Sequence, residues 1–149
     1  MLNPDFRDML LALSEENVEW LLVGAYALAA HGLPRATGDI DVWVNATTDN
    51  APRLMAALKR FGAPMQQISE SDFTAENIVF QIGLAPRRID ILTSVDGVTF
   101  SEAWQLKEAK EVEGIRVNVI SRQHLLKNKR AVGRPKDLAD AAWLESENP

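Results

Sequence analysis

Asp39-Ile40-Asp41-Val42-Trp43-Val44 decides how the rest of this chain is read. Alternate side chains of a strand share a face, so Asp39, Asp41 and Trp43 point one way and Ile40, Val42 and Val44 point into a core. Aspartate is disfavoured in strands, yet two interrupt this β-forming run. Carboxylates two residues apart on a strand stand ~6.5–7 Å apart at the backbone. Their side chains can converge on one hard cation, or on two cations ~3.5–4 Å apart, and oxygen ligands of this kind suit magnesium or manganese rather than zinc. An acidic, solvent-facing strand surface accounts for the pair equally well.

A third carboxylate favours the site. Arg88-Ile89-Asp90-Ile91-Leu92 is a second apolar strand with an acid in mid-run, and its isoleucines turn Asp90 to the face opposite the core. If the two strands are neighbours, Asp39, Asp41 and Asp90 converge. Like charges at close range disfavour their own ionisation unless a cation neutralises them. A surface ion pair of Asp90 with Arg87 or Arg88 is the alternative. Upstream, Val23-Gly24-Ala25-Tyr26 reads as strand, glycine and helix start, where free backbone N–H groups attract phosphate oxygens.

The intervening sequence supplies the scaffold. Asn3-Pro4-Asp5 starts a helix with Phe6, Met9, Leu10 and Leu13 on one face. Val18–Val23 reads as a buried strand, Tyr26–His31 as a short helix, Pro34–Gly38 as a loop and Thr48–Phe61 as an amphipathic helix. Asn77–Ile82 and Arg88–Leu92 read as strands joined through Gly83-Leu84-Ala85-Pro86, and Glu108–Val112 and Ile115–Ile120 as a pair turning at Glu113-Gly114. Ser121 caps a helix to about Val132, and Pro135 opens a last one to about Glu145. This order predicts an α+β (mixed α/β) fold with helices on a mixed sheet and a C-terminal helical pair. One domain over residues 1–149 is expected, its core at about 18–120 and its C-terminal helices at about 121–145.

Composition sets the outer limits. The 149 residues are 46% hydrophobic and 25% charged, ordinary globular values. A net charge of −5 argues against a surface built wholly for nucleic acid. The absence of cysteine removes disulfide frameworks, cysteine–zinc sites and thiol nucleophiles. No signal peptide and no membrane-length apolar run is visible, so a cytoplasmic protein without membrane contact is expected. Yet six Lys/Arg and no carboxylate lie between Arg122 and Lys136. This is either a solvated helix face or a stripe that reaches phosphates. His31 and His124 read as surface or capping residues. Trp20, Trp104 and Trp143 read as core, and Trp43 either packs or flanks a base.

Gly24-Ala25, then Arg35-Ala36-Thr37-Gly38-Asp39-Ile40-Asp41, then Arg88-Ile89-Asp90 resemble the nucleotidyltransferase superfamily related to DNA polymerase beta. That pattern is a glycine followed by glycine or serine, a downstream Asp-x-Asp and a later lone Asp. Lys129 and Gly133-Arg134-Pro135-Lys136-Asp137-Leu138-Ala139-Asp140 resemble the carboxyl end of small bacterial nucleotidyltransferase-like proteins of the abortive-infection and toxin–antitoxin type. Ala25 departs from the pattern: it keeps the backbone N–H but brings no hydroxyl.

The resemblance implies a Mg2+- or Mn2+-dependent transfer of a nucleoside monophosphate from a nucleoside triphosphate to a hydroxyl of a tRNA, a protein or a small molecule. Asp39 and Asp41 would hold the metals, and Asp90 would share one and help deprotonate the acceptor. Gly24, Ala25, Arg35, Thr37, Lys129, Arg134 and Lys136 would contact the nucleotide. The alternative it implies is a nucleotidyltransferase-like toxin–antitoxin component that binds a nucleotide or a cognate partner protein, with a weak or silent site.

Overall fold

The computed structural model describes residues 2–34, 38–84 and 86–146. Arg35 and Thr37 lie outside the described residues. The order is α1 (Pro4–Glu15), β1 (Trp20–Val23), α2 (Gly24–Ala30), β2 (Ile40–Val44), α3 (Asn50–Phe61), β3 (Val79–Ile82), β4 (Ile89–Leu92), α4 (Phe100–Gln105), β5 (Glu108–Val112), β6 (Ile115–Val119), α5 (Arg122–Val132) and α6 (Pro135–Ser146). Two short 3-10 turns, Met65–Gln67 and Glu70–Thr74, fill the segment between α3 and β3.

The strands form one six-stranded mixed sheet in the order β3-β4-β2-β1-β6-β5. β2 runs antiparallel to β1 and parallel to β4, while β3 closes the edge antiparallel to β4. The expected mixed sheet with helices packed on it and a C-terminal helix pair is therefore observed.

Burial follows the alternation read from β2. Ile40, Val42, Ile89 and Ile91 are at most 1% exposed, and burying each such side chain stabilises by roughly 1.5–3 kcal/mol. On that face Phe80 of β3 meets Phe73 of the second 3-10 turn edge to face. On the opposite face Trp43 meets Phe100 of α4, ring centroids 5.1 Å apart. Trp43 is 1% exposed, which decides its role: it packs and offers no surface to a base.

α4 is absent from the sequence reading. Its six residues are too few for a periodic pattern, but Thr99 and Glu102 cap one another at its start, and that Thr-x-x-Glu spacing was present in the sequence. His124 also differs from a surface residue. It is buried, its Nδ1 3.2 Å from Ser121 Oγ, and its Nε2 faces Glu102 at 3.5 Å. Lys127 donates to the same Glu102 at 2.9 Å, which ties α5 to α4. No helix among the described residues is long and apolar enough to cross a membrane.

Candidate active site

β2 and β4 pair in register so that Asp41 stands opposite Asp90. Both strands are anchored by their isoleucines and valines, so the two carboxylates are held on the same face by the core beneath them. Asp90 is 7% exposed. Burial pushes the Asp41 carboxyl up to about 6, helped by the charge of Asp90, a hydrogen bond shared with it, and the charge of Asp39.

Arg88 offsets part of this repulsion. Its Nε donates to Asp90 Oδ1 at 2.8 Å, and its Nη2 donates to Asp39 Oδ2 at 3.0 Å and Asp90 Oδ2 at 3.1 Å. The ion pair weighed as the alternative thus forms, and it reaches Asp39 as well. Asp39 and Asp90 share one guanidinium, and Asp41 stands beside Asp90. Among the described residues, no three carboxylate or imidazole groups are grouped as they stand to hold one metal ion.

Gly24 walls the other side of Asp41. It has φ +69°, and a Cβ there would lie 2.3 Å from Asp41 Oδ2. Val23, at the N-cap of α2, supplies no side-chain hydrogen bond. Asn3, Thr99 and Ser121, by contrast, cap α1, α4 and α5 with their side chains. The first amides of α2, those of Gly24 and Ala25, therefore lack a side-chain cap beside the carboxylate pair. Gly24→Ala is expected to cost at least about 1–2 kcal/mol from the left-handed backbone, with a further loss from displacing Asp41. A urea melt of that variant matching wild type would show that the contact is not tight.

The predicted basic stripe divides. Lys129 is 8% exposed, its Nζ 3.4 Å from Asp137 Oδ1 and 3.2 Å from Asp140 Oδ2, and both of those acids are 1% exposed. Arg134 Nε donates to Asp137 Oδ2 at 2.6 Å. The bond from Arg134, then the nearby Lys129, hold the Asp137 carboxyl below the ordinary carboxylate range. Lys129 is thus buried in a charge cluster between α5 and α6, whereas Arg134 and Lys136 are exposed. Sequence reasoning missed this role for Asp137 and Asp140. Their i, i+3 spacing opposite a lysine on the preceding helix was the available signal.

No protein-family model matches the chain, and no curated protein matches it in sequence. Solved structures do. TM1012 of Thermotoga maritima, assigned to the nucleotidyltransferases, superposes with a TM-score of 0.65 at 14% identity, covering 99% of this chain and 97% of that one. The lincosamide antibiotic adenylyltransferase LnuA, bound to lincomycin, gives 0.63 at 13% identity over 99% of both chains. The antibiotic-resistance factor ANT(2″)-Ia, in complex with adenylyl-2″-tobramycin, gives 0.62 at 18% identity, covering 95% of this chain and 86% of that one. The six-stranded mixed sheet and its helices are a nucleotidyltransferase-like fold.

Proposed function

We propose that this protein is a metal-dependent nucleotidyltransferase that moves a nucleoside monophosphate from a nucleoside triphosphate to a hydroxyl. One observation carries the reading: Asp41 and Asp90 face each other in register on parallel strands, with Gly24 and the start of α2 against Asp41. The fold is shared with adenylyltransferases that act on small molecules, which favours AMP as the transferred group.

The donor chemistry of these residues suits a divalent cation, although they are not drawn together around one point as they stand. The donors are hard carboxylate oxygens, the Asp41 carboxyl is pushed up by burial and then by its acidic neighbours, and a cationic side chain already lies among them. Asp39, Asp41 and Asp90 would hold Mg2+ or Mn2+, which would stabilise charge on the phosphates in an in-line displacement. The backbone N–H groups of Gly24 and Ala25 would receive phosphate oxygens, and Arg35, Thr37, Arg134 and Lys136 would add contacts to the nucleotide. Lys129 would act through the α5–α6 cluster that it neutralises. Asp90 would accept the proton of the attacking hydroxyl.

Arg88 favours a second reading. A guanidinium that neutralises Asp39 and Asp90 also suits a binding module of the toxin–antitoxin type with a silent site. The readings separate on incubation with each α-labelled nucleoside triphosphate, magnesium, and tRNA or cell extract. Labelled product that disappears in Asp41→Asn supports the enzyme. Nucleotide binding without any labelled product supports the module.

Arg88 gives a prediction of its own. Arg88→Gln removes a positive charge and three hydrogen bonds from the carboxylates, so Mn2+ alone should bind about tenfold more tightly by calorimetry, a factor that corresponds to ~1.4 kcal/mol. Unchanged or weaker Mn2+ binding would mean that Arg88 does not compete with the metal.

A further inference from the structure

The row of paired residues that crosses the sheet at Asp41 and Asp90 continues one step outward. β3 is the sheet's edge, and Gln81 stands opposite Asp90. The Thr93 amide donates to the Ile78 carbonyl at 3.0 Å, which fixes the alternation along β3. Ile78, Phe80 and Ile82 turn their main-chain groups toward β4, while Val79 and Gln81 turn theirs away. Gln81 and Asp90 are therefore a non-hydrogen-bonded pair, the kind whose Cα atoms approach to about 4.5 Å and whose side chains stand closest. Directly opposite residues share a face, so the exposed Gln81 carboxamide stands beside Asp90 on the acidic side.

The two flanks of the acid pair differ. Beyond Asp41 is Gly24, so close that a Cβ would collide with the carboxylate. Beyond Asp90, among the described residues, is the edge strand β3. An in-line displacement needs nucleophile and leaving group on opposite sides of phosphorus. With the triphosphate on the Gly24 flank, the acceptor comes in over β3.

Resting on the nucleotidyltransferase reading, the geometry points to Gln81 as a residue that contacts the acceptor, and to an uncharged, hydroxyl-bearing small molecule as that acceptor. A carboxamide both donates and accepts, matching a hydroxyl. Beside it on the same face Val79 is 53% exposed, and past the strand Leu84 is 85% exposed, so apolar side chains lie on either side of Gln81 along the chain. From Val79 to Pro86 the sequence carries no charge, and of the two arginines that follow, Arg88 is engaged by Asp39 and Asp90, whereas RNA draws its affinity from several Lys/Arg contacts to phosphate. In the step itself the acceptor hydroxyl gives its proton to the Asp90 carboxylate and its oxygen bonds to the α-phosphorus. The bond from that phosphorus to the pyrophosphate oxygen breaks, and the electron pair leaves with pyrophosphate.

The test divides a cell extract by ultrafiltration into a small-molecule filtrate and a macromolecular retentate. Each is incubated with the full chain, magnesium and each α-labelled nucleoside triphosphate in turn. Label should enter a compound of the filtrate. Gln81→Ala, at an exposed edge position and checked for unchanged melting, should need about fivefold more filtrate for half-maximal labelling, the loss of one hydrogen bond. Its rate at saturation and its nucleotide affinity should stay at the wild-type values. Label in retentate RNA or protein overturns the proposal, as does an unchanged filtrate requirement or a weakened nucleotide affinity in Gln81→Ala. Transfer that is indifferent to Gln81 sinks this inference alone. Nucleotide binding with neither fraction labelled sinks the transferase reading and this inference together.

Discussion

Asp41→Asn is expected to make the metal-free protein more stable at pH 7, by on the order of 2–3 kcal/mol, while abolishing divalent-cation binding. The Asp41 carboxyl is raised from 3.8 to about 6, first by burial and then by Asp90. A raised folded pKa means that the unfolded chain binds fewer protons between those two values. The Asp41 contribution to wild-type stability is therefore greatest below about pH 4, falls as pH rises to about 6, and is level above that. Asparagine cannot ionise, so the variant should lack this fall, and its advantage should appear only above about pH 4. Urea melts of both proteins across pH 4 to 7 measure it. A wild-type profile flat through that window, or a variant less stable at pH 7, would show that Asp41 is not held in a repulsive site.

Lys129→Ala should have the largest cost to stability. The lysine lies between Asp137 and Asp140, two carboxylates that are each 1% exposed. Removing one partner of a buried charge cluster typically costs 3–5 kcal/mol. The loss should appear as a lower urea midpoint. Arg134→Ala should lower that midpoint far less, because the Arg134 side chain is 64% exposed and water replaces its bond to Asp137. Equal, small losses in the two variants would place Lys129 outside the core of the cluster.

These two positions also show what the sequence could disclose. The Asp41 strand was legible because its apolar residues alternate with acids, and the same held for Asp90. Alternation names the face but not the neighbour. That β4 lies beside β2, and that Asp41 meets Asp90 rather than another residue, depends on register between strands far apart in the chain. Lys129 was read as part of a basic stripe, and the stripe is real as composition. Its burial arises from the turn at Gly133, whose φ of 72° folds α6 back on α5 and brings Asp137 and Asp140 to the lysine. Pairing between helices has no local signature of the kind that marks a cap or a strand. Arg88, two residues before Asp90, is a partner visible in the sequence, but its reach to Asp39 depends on the same strand register.

The parallel pairing of β2 with β4 has a consequence for how the chain acquires its site. β1 with β2, and β3 with β4, are antiparallel pairs of strands successive in sequence, each able to form from a short stretch of chain. The contact of β2 with β4 joins those two units across a long intervening segment, and closing such a loop is the slower event. During synthesis Asp41 thus emerges without its counterpart, and the chain holds no acid pair until β4 has left the ribosome. The repulsion between the two acids therefore arises only when β4 docks beside β2. Above about pH 6 that docking joins two like charges, and Arg88, carried in on the same strand as Asp90, arrives with them as their counter-ion.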